Sequence, residues 1–449
     1  MSHTLVCWMS RLSTGNFSKM NKTVLRLAVP SILANITVPL VGMADTAIAG
    51  RIGDASVLGG VAIASMLFDL LYWNMGFLRM GTGGMVAQAY GRRDFKDALN
   101  VYALGMATAL AFAFLFLVVQ YLYVEVAFRF IECSPQVEAL AREYFFIRIW
   151  AAPATLSLNV FKGFFIGMQN AVSPMAVDVT VNVTNVVASI FFALYAGLGF
   201  SGIAWGTLIA QYAGMVLAIA LMFIYYRRFF HYMDLKESIK FSKMKKFFML
   251  NADLFVRSLS FLFIYAGLTS LAAGYGDVAL AVSSIMMKLM LLYSYFIDGF
   301  AYAGEALSGR YIGAGDKVSL RRAVKVIFIW CAGIGIVSTF GYWAGGEWLF
   351  GFLASDPVVI EESAKYIPWL LVMPLVSCVA FTWDGIYIGA TATRAIRNSM
   401  LCAVAGFFAS YWLLGNMWGV QSLWVGYMVH LVVRSVYLTV TARKEVFEA

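Results

Sequence analysis

Long apolar stretches separated by short polar loops follow one another along the whole chain. Three of them, residues 101–124, 201–226 and 326–346, contain no Asp, Glu, Lys or Arg, and each can cross about 30 Å of hydrocarbon as a helix of ~20 residues. Because backbone groups in lipid must hydrogen bond within their own segment, these stretches are predicted to be helices. Breaks at charged residues, glycine and proline predict twelve helices, at approximately 25–49, 59–86, 98–123, 139–168, 173–196, 201–226, 247–273, 279–308, 323–345, 362–389, 396–414 and 420–441.

The composition supports a membrane protein. Of the 449 residues, 61% are hydrophobic and 13% are charged, whereas soluble domains carry roughly 25% charged residues. The mean hydropathy of +0.78 leads to the same conclusion. The five cysteines show neither a CxxC metal pattern nor a disulfide framework. The sequence therefore predicts an all-α integral membrane protein, and no metal or organic cofactor is expected.

The positive charges predict the orientation of the chain. The formal net charge is +9, and Lys and Arg cluster in alternate loops, as at 92–93 and 443–444. Basic loops stay in the cytoplasm, so both termini are predicted to be cytoplasmic and the protein to lie in the cell (inner or plasma) membrane. No basic face with interleaved aromatics is present, so a nucleic-acid partner is not expected. Residues 1–23 contain no apolar core of signal-peptide length, so the first hydrophobic stretch is expected to remain.

An internal repeat divides the chain into two halves. The segment 162–167 (KGFFIG) reappears 222 residues later as 384–389 (DGIYIG), and the same offset carries GRRD at 91–94 onto GAGD at 313–316. Two pseudo-symmetric lobes of six helices, with substrate bound between them, are typical of alternating-access transporters. The predicted domains are a cytoplasmic N-terminal tail (1–22), an N-lobe (23–226), a cytoplasmic linker lying partly on the leaflet surface (227–246), a C-lobe (247–442) and a cytoplasmic tail (443–449).

Four segments, 29–54, 147–170, 298–316 and 383–400, resemble the multidrug and toxic compound extrusion family, in its DNA-damage-inducible F subfamily. The resemblance covers nearly the whole chain after about residue 20. It implies twelve helices in two six-helix lobes and export of lipophilic, often cationic, small molecules in exchange for H⁺ or Na⁺. The expected partners are such substrates and the lipid bilayer, and a monomer is expected.

Asp45 is the candidate coupling residue of the N-lobe. An intramembrane carboxylate costs about 2.5 to 3.5 kcal/mol on insertion scales, so its presence calls for a use. An apolar environment disfavours the charged form, which lets such a carboxyl load and release a proton near neutral pH. The resemblance places the N-lobe ion site of the family at this position. Alternatively, Asp45 only caps the end of its helix. Pro39 removes a hydrogen bond to the carbonyl of Asn35 and predicts a bend there.

Four polar residues of the fifth predicted helix share one face. They are Asp178, Asn182, Asn185 and Ser189, at i, i+4, i+7 and i+11. Many relatives have an acid where this chain has Ser189, so either Asp178 takes that role or Asp45 works with neutral Asn185 alone. Na⁺ prefers several oxygen ligands, so the missing acid favours H⁺ over Na⁺. For Asp178 the alternative is an N-cap at the start of the helix after Pro174.

The C-lobe has its own set of charged residues, within the seventh, eighth and tenth helices. Opposite charges in lipid normally pair, so a cation is expected to neutralise Asp298 or Asp384; a role in binding ions or substrate is the alternative. The resemblance implies an ion-binding acid in the tenth helix of sodium-driven relatives, and Asp384 is the nearest match. The polar network of this lobe is predicted to contain Arg257, Lys288, Asp298, Glu305 and Asp384.

The repeat also suggests a charge pair between the lobes. Lys162 and Asp384 occupy equivalent places in the two copies and carry opposite charges. One hypothesis is that they approach each other when the cytoplasmic side closes; the alternative is that each pairs inside its own lobe.

Other functions fit the sequence less well. An enzyme would need a nucleophile or metal constellation, but His3, His231 and His430 are isolated and no HExxH motif is present. A passive channel would not need a titrating acid. A lipid-linked precursor flippase would share the two-lobed plan but have a more cationic central cavity. The sequence therefore favours an antiporter, with H⁺ as the coupling ion and Na⁺ as the alternative.

Overall fold

The computed structural model describes residues 2–53, 55–232, 241–354 and 356–448, and within these ranges every regular element is a helix. Twelve of the helices are long and apolar enough to cross a membrane. They are numbered here as spans 1 to 12: Phe17–Ile52, Ser56–Gly91, Phe95–Ala127, Pro135–Gly167, Val172–Tyr195, Phe200–Tyr232, Ser242–Ala273, Asp277–Gly313, Lys317–Leu353, Pro357–Gly389, Thr393–Gly415 and Gln421–Phe447. The predicted fold class and number of spans are confirmed.

Spans 1, 7, 9 and 10 begin five or more residues earlier than the sequence predicts. Span 1 is part of one continuous helix, Ser2–Ile52, which includes most of the predicted N-terminal tail. Span 7 lies in the helix Phe241–Ala273, where Lys243 pairs with Asp97 at 3.1 Å. Of the predicted linker, Arg227–Tyr232 forms a 3-10 turn and residues 233–240 lie outside the described residues. Its location on the leaflet surface stays a prediction.

Three spans are interrupted by a 3-10 turn. Span 2 breaks at Trp73–Gly76, span 4 at Ile149–Ala151 and span 10 at Ala364–Tyr366. In spans 4 and 10 a proline stands in the first turn of the helix that follows the break. Proline has no N–H to bond the preceding turn but fits the start of a new helix, which explains the interruption. Broken helices in transporters often surround binding sites.

The described chain groups into two compact units. The N-terminal unit is Leu33–Asn251, and the C-terminal unit combines Met1–Ile32 with Ala252–Ala449. The helix of span 1 is therefore divided between the units, whereas the sequence placed residues 23–32 in the N-lobe. The cause is local packing, because Gly299 of span 8 lies directly against the backbone of Ala28 and Ile32.

Each unit contains the same pair of close helix contacts. In span 4 two glycines lie directly against carbonyl oxygens of span 2, and in span 10 two glycines do the same with span 8. A side chain at these glycines would collide with backbone atoms, so only glycine permits the approach. All partners are related by the 222-residue offset of the sequence repeat: Gly163 on Arg79, Gly167 on Gly83, Gly385 on Ala301 and Gly389 on Glu305.

The repeated turns also match in detail. In GRRD, Arg93 has φ +60°, and in GAGD the equivalent Gly315 has φ +69°. The aspartate after each, Asp94 and Asp316, caps the next helix by accepting a bond from the backbone N–H three residues on. Hydrogen bonds from Ser319 lower the pKa of the Asp316 carboxyl. The repeat therefore encodes one turn and one cap twice.

Gly385→Ala is expected to lower the stability of the protein. Its new methyl group would press on the carbonyl of Ala301, and such overpacking typically costs about 1 to 3 kcal/mol. Gly333→Ala is the matched control, because this glycine also lies inside a helix but has open space around it. Both variants gain the same helix propensity, so the difference between their melting temperatures in detergent measures the contact. Equal melting temperatures would show that the contact imposes no constraint.

Candidate functional site

In the N-terminal unit, Asp45 lies two turns before the end of its helix and is half-buried. Its Oδ1 atom is buried and has no hydrogen-bond partner among the described residues. The helix continues to Ile52, so Asp45 does not cap its end. A buried acceptor without a partner is costly unless something binds it, which is consistent with a carboxyl that binds a proton or ligand.

Arg148 is the cation whose charge acts on this carboxyl, and its importance was not recognised from the sequence. It is the last residue of the first half of span 4 and lies within electrostatic reach of both Asp45 and Asp69. Its guanidinium stacks over the ring of Phe68 at 4.5 Å and that of Tyr144 at 5.8 Å. The available signal was an arginine inside a predicted transmembrane segment, where charged residues normally have a function.

Span 5 carries the four polar residues that share one face, here called the polar stripe: Asp178, Asn182, Asn185 and Ser189. They have different partners. Asn185 donates to the hydroxyl of Thr207 at 2.9 Å, and Ser189 donates to the carbonyl of Ile203 at 3.5 Å. Tyr144 lies within hydrogen-bonding reach of Thr207 and of Arg148. A chain of polar groups therefore connects Asn185 with the surroundings of Asp45.

Asn182 connects the same stripe with span 1. Its side-chain nitrogen donates to the hydroxyl of Thr37 at 2.5 Å, and Thr37 donates to the carbonyl of Ala34 at 2.7 Å. Thr37 lies between Asn35 and Pro39, within the helix that continues uninterrupted to Ile52. The expected bend at Pro39 stays a prediction, but this part of span 1 is bonded to span 5.

Asp178 forms an ion pair with Lys162 of span 4, and both side chains are partly buried. It lies inside the helix Val172–Ile190, whose N-cap position is Ala171, so the interpretation of Asp178 as an N-cap is wrong. The ion pair separates Asp178 from the part of the stripe that connects with Asp45.

In the C-terminal unit, Asp384 is held by two arginines. The Nη2 atoms of Arg257 and Arg434 each lie 2.6 Å from its Oδ2 atom. Arg434, of span 12, is only 1% exposed and was not among the predicted network residues. A carboxylate neutralised by two guanidinium groups is poorly suited to bind a further cation, because the cation would have to displace them. The structural alternative for Asp384, pairing with Arg257, is the arrangement observed.

The other predicted residues of this network lie on span 8. Lys288 is exposed, Asp298 is half-buried and Glu305 is fully buried. A second ion pair was not predicted: Arg397 contacts Asp253 at 2.5 Å, and Thr393 donates to the same carboxylate at 3.0 Å. The C-terminal unit therefore contains neutralised acids, and the roles of Asp298 and Glu305 stay predictions.

The observed ion pairs bear directly on the hypothesis that Lys162 and Asp384 pair with each other. Lys162 pairs with Asp178, and Asp384 pairs with Arg257 and Arg434, so each charge is neutralised inside its own unit. This is the alternative weighed from the sequence. The double variant Lys162→Glu with Asp384→Lys would test this hypothesis poorly, because it would place a lysine beside Arg257 and Arg434.

Comparison with known proteins agrees with this fold. The MatE family model matches residues 30–191 and 254–412. The DNA damage-inducible protein F of Escherichia coli (strain K12) is 31% identical over 94% of this chain and 92% of its own length. A probable multidrug resistance protein NorM of Agrobacterium fabrum is 23% identical over 98% of this chain and 97% of its own length.

A solved structure, a MATE protein in complex with MaL6, has a TM-score of 0.85 with 17% identity over 95% of this chain and 96% of that chain. At 17% identity, this similarity shows that the two proteins share a fold. The chain belongs to the MatE family of multidrug efflux transporters, and it is a multi-pass membrane protein rather than an enzyme.

Proposed function

We propose that this protein is a proton-coupled antiporter that exports lipophilic, often cationic, small molecules by alternating access. One contrast carries the proposal: among the described residues no cation forms an ion pair with Asp45, whereas two arginines do so with Asp384 Oδ2. Each acid has a buried Oδ1 atom without a hydrogen-bond partner in the same part of the chain. The first acid is available for a proton or a cation and the second is not. Coupling is therefore assigned to the N-terminal unit.

The polar groups around Asp45 suggest how its protonation acts on the helices. A charged Asp45 attracts Arg148, which is within reach of Tyr144 and, through it, of Thr207 and Asn185. Protonation removes that attraction and frees Arg148 to strengthen its other contacts. Because spans 1 and 5 are bonded through Thr37 and Asn182, a change at Asp45 can alter the position of both spans.

Two features of the site favour H⁺ over Na⁺. Sodium ions prefer several oxygen ligands, but Ser189 supplies no carboxylate and its hydroxyl donates to a backbone carbonyl. Arg148, the cation within electrostatic reach of Asp45, supplies no oxygen ligand for a sodium ion, whereas a proton needs only the carboxyl group itself. Sodium coupling is the alternative that the experiment below must exclude.

A lipid-linked precursor flippase is the second candidate function. Its support is the surplus of positive charge at Arg257 and Arg434 in the C-terminal unit, which could attract an anionic head group. Arg434 is buried, however, and both arginines are bonded to Asp384. The antiporter remains the better supported proposal. We propose that it is a monomer in the cell (inner or plasma) membrane and that both of its termini lie in the cytoplasm.

The experiment is transport of a fluorescent lipophilic monocation into liposomes containing the purified protein, under an imposed pH gradient, Na⁺ gradient or neither. One pH unit supplies about 1.4 kcal/mol per proton, which corresponds to about tenfold accumulation. We expect accumulation to follow the pH gradient and to be insensitive to Na⁺. Accumulation driven by Na⁺ alone would contradict the assignment of the proton, and no accumulation under either gradient would contradict the antiporter.

A further inference from the structure

Aromatic rings surround the guanidinium of Arg148 in the N-terminal unit. The ring of Phe68 lies 4.5 Å below it and stacks in turn on Phe145, at 4.9 Å, and on Tyr72, at 5.5 Å. Tyr144 provides a second face at 5.8 Å. Ring faces of this kind attract planar cations, so the cluster already binds one cation that belongs to the protein itself.

The charges of this cluster come from three spans. Asp45 belongs to span 1, Asp69 to span 2 and Arg148 to span 4, and both carboxylates are within electrostatic reach of the arginine. In the described part of the chain, neither carboxylate forms a direct ion pair with it. The remaining titratable groups that face the cluster are Tyr72, Tyr144 and Tyr212, which are neutral near pH 7. The net charge is therefore −1 when both acids are ionised and zero when one is protonated.

The same cluster lies where two spans are interrupted. Tyr72 precedes the break of span 2 and Arg148 precedes that of span 4. Three oxygens near these breaks are buried and lack partners among the described residues: Asp45 Oδ1, Asn74 Oδ1 and the hydroxyl of Tyr72. Acceptors without partners, next to ring faces, suit a ligand that is aromatic, positively charged and able to donate hydrogen bonds.

We propose that Arg148 sets the charge capacity of this site: it limits the site to one positive charge at a time, either a proton or a singly charged organic cation. The inference rests on the proposed function and adds its stoichiometry and specificity. Without Arg148, two carboxylates would give the site a charge of −2 and would accept a dication or two protons. With Arg148, exchange is one proton for one monocation, and doubly charged cations are excluded.

One-for-one exchange has a measurable electrical consequence. A proton moving in and a monocation moving out carry no net charge, so transport by the native protein is expected to be independent of membrane potential. Two protons exchanged for one monocation would carry one net charge. Arg148→Gln is therefore expected to make transport respond to potential, and to raise accumulation from about tenfold to about a hundredfold per pH unit.

The experiment uses liposomes with the pH gradient and the potential set independently, the latter by valinomycin and K⁺. The probes are ethidium, a monocation, and propidium, which has the same ring system and a second positive charge on a quaternary ammonium side chain. We expect the native protein to transport ethidium at least tenfold faster than propidium, at a rate that does not depend on the membrane potential. Arg148→Gln is expected to shift the ratio toward propidium by about tenfold or more and to make ethidium transport voltage-dependent.

Two control variants separate charge from structure. Arg142→Gln removes a positive charge from the same helix, but Arg142 is paired with Glu125 and Glu138, neither of which acts on Arg148, so the native pattern is expected. Arg148→Lys retains the charge and is expected to remain voltage-independent even where its rate falls. A voltage response in both controls would overturn the proposal, because the effect would then not depend on the charge at position 148.

The net charge of the site can also be tested by replacing one of its acidic residues. Asp69→Asn leaves Arg148 opposite a single carboxylate, so the ionised site has no net charge and ethidium exchange is expected to fall at least tenfold. Combining it with Arg148→Gln restores −1 and is expected to restore exchange. If native protein transports ethidium but these variants retain native selectivity and voltage independence, the role of Arg148 is refuted. If native protein transports neither probe, the proposed function itself fails.

Discussion

Asp45→Asn is expected to lower pH-driven export of a lipophilic monocation at least tenfold while the protein remains folded. The amide has nearly the same shape as the carboxyl group but cannot take up a proton, so the step that couples the gradient to transport is lost. The Oδ1 atom of Asp45 makes no hydrogen bond with the described residues, so the substitution breaks no bond of that atom. The melting temperature in detergent should therefore stay close to that of the native protein.

The measurement is the initial rate of efflux from proteoliposomes under one pH unit, with protein amount matched by gel. Asp356→Asn is the control, because Asp356 lies outside the spans and caps the helix Pro357–Ser363, where asparagine caps equally well. Its transport should equal that of the native protein. Native rates in Asp45→Asn would remove Asp45 from the coupling step.

The second large effect concerns stability. Asp384→Asn is expected to destabilise the protein by about 3 to 5 kcal/mol, because it leaves the charges of Arg257 and Arg434 without their counter-ion. Arg434 is 1% exposed and cannot turn to water. The measurement is thermal unfolding in detergent, supported by the yield of folded protein.

Two comparisons test this explanation. In the double variant Asp384→Asn with Arg434→Leu, one unpaired buried charge is removed, so it should be more stable than Asp384→Asn alone. Glu448→Gln breaks the exposed pair between Arg443 and Glu448, which should cost about 1 kcal/mol or less. If Asp384→Asn were no more harmful than Glu448→Gln, the buried cluster would not stabilise the C-terminal unit.

The architecture could be predicted from the sequence because lipid allows few solutions. Each long apolar segment must be a helix, and the 222-residue offset locates equivalent turns. The breaks at Trp73–Gly76 and Ile149–Ala151 were not predicted. Proline after the second break was a signal, but proline also occurs inside the continuous helix Ser2–Ile52, so residue type alone does not decide where a helix breaks.

The candidate site was predictable in part. Asp45 stands out because an acid in an apolar segment is costly, whereas its relation to Arg148 depends on how separate spans pack. The same holds for Asn182, whose partner Thr37 is 145 residues away. Such partners follow from tertiary structure and have no local pattern. For Asp384 the sequence suggested Arg257 of span 7 as a partner, but Arg434 of span 12 was missed, because no local pattern shows that span 12 packs against span 10.

The repeat predicted equivalent backbones correctly but could not predict equivalent charges. Lys162 finds its partner in Asp178, and the position equivalent to Asp178 in the second copy is Met400. Asp384 therefore has no counterpart of that ion pair and is neutralised by arginines of spans 7 and 12 instead. Local partners, rather than the symmetry of the repeat, decide how each charge is neutralised.

The glycine contacts of spans 4 and 10 explain how the two copies can differ so much. Gly163 and Gly385 lie against the main chain of Arg79 and Ala301, so this contact does not depend on the side chains of the residues that precede them. Lys162 stands next to Gly163 and Asp384 next to Gly385, a base in one copy and an acid in the other on the same framework. After a gene duplication, such a framework lets the positions beside these glycines diverge in charge while the helix contact itself is kept.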